Sequence, residues 1–177
     1  MVLTKIKIKR VLLVSLIAAV FGVFGFYLSN KQSSEQSVLA ALLAKFRGLD
    51  GSYQSLSSFG APLMLINFWG TWCAPCREEI PTLIALHKEF FSPSFTIVGV
   101  AIDSRENAAN FVKEFGVNYP ILVGGGDALA VSKLLGNKSE AVPYTVLVSG
   151  SGNILWSHLG MVQEGDIRYA IKDRLIE

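Results

Sequence analysis

The sequence is poor in the side chains that build metal sites and covalent frameworks. Its 177 residues include two cysteines and two histidines. A secreted domain held together by disulfides contains more cysteines than this. A zinc site built on the cysteine pair would need both His87 and His158 as further ligands. We therefore expect no metal, no other cofactor and no framework of structural disulfides.

Basic clusters are also missing outside the first thirty positions. Residues 1–30 contain four Lys or Arg and no acidic residue, so this segment accounts for the net charge of +2. Residues 31–177 contain 12 basic and 14 acidic residues, a formal charge of −2. A nucleic-acid-binding surface requires a basic patch, and we expect no nucleic-acid partner.

An apolar run without charged residues occupies positions 11–28 and follows the basic residues. As a helix it would be about 27 Å long, close to the thickness of the hydrocarbon core of a bilayer. The basic residues before it predict a cytoplasmic N-terminus with the remainder of the chain outside. We predict a basic cytoplasmic segment, 1–10, and a single-pass transmembrane anchor, 11–29. A cleaved signal peptide is the alternative, although no small-residue cleavage site follows the run.

A polar stretch and then one globular domain follow the apolar run. Residues 30–45 are predicted to form a tether, with a short helical pattern from 38 onwards. The remaining residues, 46–177, are enough to bury one core. Apolar strand patterns alternate with helical patterns, and a terminal hairpin and an amphipathic helix from Glu164 follow. This order predicts an α/β fold with a mixed central sheet flanked by helices.

The two cysteines lie in Trp72-Cys73-Ala74-Pro75-Cys76, where a strand pattern ends and a helical pattern begins. Leu63–Trp69 is apolar as in a buried strand, and the residues after Cys76 have helical spacing. Cys73 is thus predicted at a helix N-terminus, where unpaired N–H groups and the helix dipole stabilise a thiolate. Cys76, one turn on, can attack a mixed disulfide formed on Cys73. A redox-active pair is predicted, with a static staple or half of a zinc site as alternatives.

The segment Asn67–Pro81 resembles the membrane-anchored TlpA/ResA/CcmG-type thiol–disulfide oxidoreductases of the thioredoxin superfamily. That group carries a similar N-F-W-A-x-W-C-x-P-C-R-x-E-x-P string, which reads N-F-W-G-T-W-C-A-P-C-R-E-E-I-P in this chain. Gly70 replaces the usual alanine. The resemblance covers about residues 46–177 and implies a thioredoxin-like fold with a β/α insertion at 103–135.

The resemblance implies further site residues around the cysteines. It places a cis-proline at Pro143, next to Val142, against the cysteine pair, and the backbone beside it pairs with a substrate chain. From the local sequence alone, a trans proline at the start of a strand is the alternative. Trp72, immediately before Cys73, is expected to belong to the apolar surface that receives the substrate.

Glu79 is the candidate general base. It lies three residues after Cys76, on the same face of the predicted helix. Burial there would raise the pKa of its carboxyl and let it take the proton of Cys76, and the resembled group has a glutamate at this position. Thioredoxins have a buried aspartate where this chain has Asn67, which cannot titrate. The alternative is an exposed acid that complements the helix dipole.

These features predict an extracytoplasmic protein-disulfide reductase. The resemblance implies location at the inner (cytoplasmic) membrane, with the catalytic domain in the periplasm or outside the cell, and re-reduction by a membrane electron donor. It implies protein substrates such as apocytochrome c or copper-site assembly factors. We expect a monomer.

Three other functions compete with this one. A thiol peroxidase of the same fold needs Pro-x-x-x-Thr-x-x-Cys, but Ile66 and Gly70 occupy the proline and threonine positions. A copper-delivery module uses Cys-x-x-x-Cys, one residue longer than the present spacing, and His158 would have to reach the site. A disulfide-forming oxidase stays open, because Ala74-Pro75 decides the direction only weakly.

Overall fold

The chain divides into two compact units, Met1–Gln36 and Ser37–Glu177. The computed structural model describes residues 2–172 and 174, and among these the side chains of 17–29, 32, 35–172 and 174. Within that description, no helix combines the length and the apolar character that crossing a membrane requires. The side chains of 11–16, part of the predicted anchor, lie outside the described residues.

Helix α1 (Val2–Leu43) continues through most of the predicted tether. No glycine or proline occurs between Gly25 and Gly48 to end it earlier. Val38, Ala41 and Leu42, on its last turns, are buried. The compact domain consequently begins at Ser37 and not at residue 46, because the second half of the predicted tether packs into the core.

In the described part of the second unit, a seven-stranded mixed sheet lies at the centre. Its strands are β1 (Lys45–Gly48), β2 (Tyr53–Ser55), β3 (Leu63–Trp69), β4 (Phe95–Ala101), β5 (Ile121–Val123), β6 (Tyr144–Ser149) and β7 (Ile154–Leu159). They lie in the order β2-β1-β5-β4-β3-β6-β7. β3, β4 and β5 are mutually parallel and the other pairs are antiparallel. Every residue of β3 and β4 is buried, as expected of strands covered on both faces.

Helices cover both faces of this sheet. After α1 come a 3₁₀ turn (Leu56–Phe59), α2 (Ala74–Phe90), α3 (Arg105–Phe115), α4 (Gly125–Leu134) and α5 (Glu164–Ile171). Side chains of α2, α3 and α5 pack with one face of the sheet. The last turns of α1, the 3₁₀ turn and α4 pack with the other. The predicted α/β fold with a mixed sheet is confirmed.

The elements between β4 and β6 correspond to the predicted insertion at 103–135. They are α3, β5 and α4. Ser104 caps α3, since its side chain accepts a hydrogen bond from the Asn107 backbone N–H at 3.1 Å. The amphipathic helix predicted from Glu164 is α5, which is described to Ile171. Residues 173 and 175–177 lie outside the described part of the chain.

Candidate redox site

The cysteine pair lies between the end of β3 and the first turn of α2. Cys73 is the N-cap residue of α2, and its sulfur accepts a hydrogen bond from the backbone N–H of Cys76 at 3.3 Å. The two sulfurs are joined in a disulfide. Cys73 is 5% exposed and Cys76 is 0% exposed, so Cys73 is the sulfur that a partner can reach first.

The loop before Cys73 is hydrogen-bonded to the residues that follow β4. One carboxylate oxygen of Asp103 accepts from the backbone N–H of Thr71 at 3.0 Å and from its hydroxyl at 2.5 Å. The indole N–H of Trp72 donates to the carbonyl of Ile102 at 3.1 Å. Thr71 and Trp72, the two residues before Cys73, are therefore both hydrogen-bonded to the residues that follow β4.

The other oxygen of Asp103 organises the start of α3. It accepts from the backbone N–H of Ser104 and from the side-chain amide of Asn107, each at 2.8 Å. Partial burial disfavours the charged form of Asp103, but the hydrogen bonds from Thr71, Asn107 and Ser104 outweigh it and hold the pKa of the carboxyl below its ordinary value. The sequence did not indicate the contact of Asp103 with the active-site loop, because it joins residues 32 positions apart.

Trp72 is the exposed aromatic side chain beside the nucleophile, with 66% of its surface accessible. Its ring lies against Gly70. A Cβ atom at Gly70 would be 2.7 Å from the indole, closer than carbon atoms approach without a shift of the ring. Gly70 therefore provides the space in which this orientation of Trp72 fits.

Glu79, one turn after Cys76 on α2, is buried, at 1% exposure. One carboxylate oxygen accepts from the side-chain amide of Asn67 at 2.7 Å, and the other accepts from the backbone N–H of Val162 at 2.8 Å. Burial raises the pKa of Glu79 to about 7, against the opposing effect of these two hydrogen bonds. This burial excludes the alternative of an exposed acid.

Pro143 lies beside the end of β3, because the next residue, Tyr144, pairs with Phe68 in the sheet. The Val142–Pro143 peptide bond is cis, as the resemblance implied. The carbonyl of Pro143 accepts from the backbone N–H of Gly160 at 2.8 Å. Val142 is half-buried against the core. The structure thus brings Pro143 to the sheet edge from which the cysteine loop departs.

The two histidines lie apart in the fold. His87, on α2, is buried against the rings of Phe91 and Tyr119, and burial lowers its pKa. His158, on β7, stacks on Trp156. Among the described residues, no group of three or more His, Cys, Asp or Glu is arranged to hold a metal ion.

Asn67, Thr145 and Val162 are site residues whose contacts the sequence analysis missed. Asn67 also donates to the hydroxyl of Thr145 at 2.9 Å, so a polar cluster connects α2, β3 and β6. A signal was available: Asn67 is an amide in the middle of the otherwise apolar strand Leu63–Trp69. No such signal pointed to Val162, because it contributes only its backbone N–H, which every residue except proline has.

The thioredoxin-like fold and the Cys-x-x-Cys pair at the N-terminus of α2 define an enzyme of the thiol–disulfide oxidoreductase class. Residues 40–157 match the AhpC/TSA family, and the chain belongs to that family. Within it, the comparisons confirm the TlpA/ResA/CcmG type.

The chain is similar to several known proteins. The chain is 29% identical over 162 residues to thiol-disulfide oxidoreductase ResA of Bacillus subtilis (strain 168). The matched region covers 89% of this chain and 86% of ResA. A thioredoxin-related protein from Neisseria meningitidis serogroup B superposes with a TM-score of 0.67 and 33% identity, over 75% of this chain and 99% of that one. A secreted thiol-disulfide isomerase from Corynebacterium glutamicum gives a TM-score of 0.68 and 28% identity, over 76% and 84% of the two chains.

Proposed function

We propose that this protein reduces disulfide bonds in partner proteins, with Cys73 as the attacking thiol and Cys76 as the resolving thiol. The observation that carries the proposal is the unequal placement of the two sulfurs. Cys73 caps α2 next to the exposed ring of Trp72, whereas Cys76 is fully buried one turn further on. Glu79 is buried on the same helix, with a pKa near neutrality.

The proposed cycle starts from the dithiol form. The Cys73 thiolate attacks one sulfur of the substrate disulfide, and a mixed disulfide forms while the other substrate sulfur leaves as a thiolate. Cys76 then transfers its proton to Glu79 and attacks the sulfur of Cys73, which releases the second substrate thiolate. Two electrons have passed to the substrate, and the protein is left with the Cys73–Cys76 disulfide. A dithiol donor in the membrane would restore the reduced form.

The substrate is proposed to be an extended polypeptide segment that contains a disulfide. Trp72 offers an exposed apolar surface, and the backbone of Val142, immediately before the cis-proline, is proposed to pair with the chain. The TlpA/ResA/CcmG type implies apocytochrome c or a copper-site assembly factor as the partner. One chain supplies every residue used in the cycle, which supports a monomer.

Peroxide reduction is the main alternative that membership of the AhpC/TSA family raises. That reaction requires a threonine hydroxyl three residues before the attacking cysteine, and Gly70 stands there. Ile66 stands where the proline would be. These two positions favour thiol–disulfide exchange over peroxidase activity.

We further propose that the domain is exported and anchored by residues 11–29, with the N-terminus in the cytoplasm. The charge pattern of the first thirty residues supports this orientation. Eight large apolar side chains of the first unit are also exposed: Ile17, Val20, Phe21, Val23, Phe24, Phe26, Tyr27 and Leu28. So large an apolar surface on one helix is suited to lipid.

Trapping of mixed disulfides in cells tests the proposal. Cys76→Ser should accumulate mixed disulfides with partner proteins, since the bond on Cys73 can no longer be resolved, and these species should sediment with the membrane fraction. Cys73→Ser is the matched control and should trap few partners. Equal trapping by both variants would contradict the assignment of the two thiols, and trapped species of a shortened chain in the soluble fraction would contradict the anchor.

A further inference from the structure

Asn67 lies at the centre of the sheet, on the face that packs against α2. It is fully buried, and its neighbours in the sheet are Gly99 on β4 and Thr145 on β6. A buried carboxamide costs free energy unless its donors and its acceptor find partners. Its contacts therefore indicate what this position is built to hold.

The two ends of the carboxamide are used unequally. The Nδ2 group donates to Glu79 Oε1 at 2.7 Å and to the Thr145 hydroxyl at 2.9 Å. The Oδ1 atom is buried and has no hydrogen-bond partner among the described residues. This orientation is complementary to an ionised Glu79, because a carboxylate accepts hydrogen bonds and donates none.

A protonated Glu79 requires the opposite orientation. The backbone N–H of Val162 donates a hydrogen bond to Oε2 at 2.8 Å. The acid proton is therefore expected on Oε1, the oxygen that contacts Asn67. An acid O–H cannot bond to an N–H donor. A half-turn of the carboxamide would bring Oδ1 to this place, where it can accept from the acid and from the Thr145 hydroxyl, which donates as well as accepts. The torsion concerned has broad, roughly two-fold wells.

We propose that Asn67 is a positioning residue for the proton on Glu79: its carboxamide presents N–H to the carboxylate and turns over to present its carbonyl to the acid. The catalytic use of this exchange rests on the proposed function. When Cys76 gives its proton to Glu79, the amide turns and holds the acid while Cys76 attacks Cys73. When the proton leaves, the amide returns.

Other titratable groups face Glu79. Cys73 and Cys76 lie on the same helix, and Tyr119, in the segment before β5, is buried within the electrostatic influence of Glu79. His87 lies further along α2 and contacts Tyr119. Burial, and then the charge of Glu79, raise the pKa of Tyr119, and burial lowers that of His87. In the oxidised protein the cysteines do not titrate, so Glu79 can be followed near neutral pH.

The direct test is an NMR titration of the oxidised full chain, with the Glu79 side-chain carboxyl carbon as the reporter of its proton. Above the Glu79 midpoint, the Asn67 amide protons should show an Overhauser contact to the Thr145 side chain. Below it, this contact should disappear with the same midpoint. An Asn67 contact that persists unchanged through the Glu79 titration would overturn the proposal.

A substitution gives an independent measurement. Asn67→Leu removes both the donor to the carboxylate and the acceptor for the acid, so the two losses offset each other and the Glu79 midpoint should move by less than about half a pH unit. Thr96→Val is the matched control, since Thr96 is another buried polar side chain of the sheet, and it should leave the midpoint in place. A rise of about one pH unit or more in Asn67→Leu would show that the side chain bonds only to the carboxylate, and would overturn the proposal; if that variant does not fold, the titration of the parent decides alone.

These measurements involve no substrate, so they are separate from the test of the proposed function. Failure to trap mixed disulfides would overturn the reductase cycle and leave the coupling between Asn67 and the Glu79 proton standing. Failure of the titration would remove Asn67 from the mechanism and leave the roles of the two thiols unaffected.

Discussion

The carboxyl of Glu79 is subject to two opposing influences. Burial favours the neutral acid, while hydrogen bonds from Val162 and Asn67 favour the carboxylate, and the resulting pKa is about 7. A general base is most effective when its pKa is close to the operating pH. Glu79 therefore has the property that proton exchange with the resolving thiol needs, and its position on α2 places it one turn beyond Cys76.

We expect Glu79→Gln to slow the resolving step by about 100-fold, the usual contribution of a general base. The pH dependence of that step near neutrality should also flatten, because glutamine cannot take a proton. The rate is measured as release of a partner peptide from a mixed disulfide preformed on Cys73. Glu78→Gln is the matched control, as Glu78 is exposed on the same turn. A parental rate and pH profile in Glu79→Gln would exclude the base.

The candidate site residues come from a local string and from resemblance. The cysteine pair, Glu79 and Pro143 were predicted in this way, and the structure shows the cis bond before Pro143 and the burial of Glu79. Asn67 and Asp103 were missed as partners of the site, since their contacts cross 12 and 32 residues of sequence. Such pairs depend on strand order, which no single segment encodes.

At the scale of elements, hydrogen bonds join the active-site loop to the residues that follow β4. Asp103 bonds to the backbone and the hydroxyl of Thr71, and it also bonds to the first turn of α3. Hydrogen bonds to a charged acceptor are stronger than those between neutral groups. The carboxylate therefore fixes the loop that leads to Cys73 relative to α3.

Asp103→Ala should lower the free energy of unfolding of the oxidised protein by about 2 kcal/mol, through loss of charge-assisted hydrogen bonds. Urea unfolding gives the value. Thr71→Val keeps the backbone bond and removes the hydroxyl, so it should cost about half as much, and the double variant should be less destabilised than the sum of the two. Additive effects would show that the bond from the Thr71 hydroxyl to Asp103 contributes nothing.

Element prediction was accurate for long apolar segments and less so for polar or short ones. β3 has the predicted bounds, Leu63–Trp69, because its apolar run is nearly unbroken. The polar residues after 29 were assigned to a tether, yet α1 runs through them since no helix-breaking residue intervenes. β1 and β2 have four and three residues, too few for a periodic pattern.

For the whole molecule, Glu79 makes stability depend on pH in an unusual direction. Its pKa is about 7 in the folded protein, against an ordinary value of 4.5. Between these values the folded state binds more protons than the unfolded state, so the free energy of unfolding contributed by this group falls as pH rises. The full loss from below pH 4.5 to above pH 7 is about 3 kcal/mol.

The difference between the parent and Glu79→Gln isolates this contribution. His87 acts in the opposite sense, since its lowered pKa makes the folded state bind fewer protons as pH falls, but it is present in both proteins and cancels. Chemical unfolding of both oxidised proteins from about pH 4 to pH 8 should give curves that diverge as pH rises, with the variant gaining relative stability. If the two curves stay parallel, the pKa of Glu79 in the folded protein does not differ from its ordinary value.

The burial of the last turns of α1 decides where a recombinant fragment of the soluble part has to begin. Val38, Ala41 and Leu42 share a core cluster with Phe46 and Leu56. A fragment cut at residue 46, the boundary that the tether prediction implies, would lose these three side chains and leave the faces they cover in contact with water. Each large apolar group uncovered costs about 1.5–3 kcal/mol, and the exposed patch would favour association between fragments. Purification and crystallisation trials are therefore best started from chains that include Ser37.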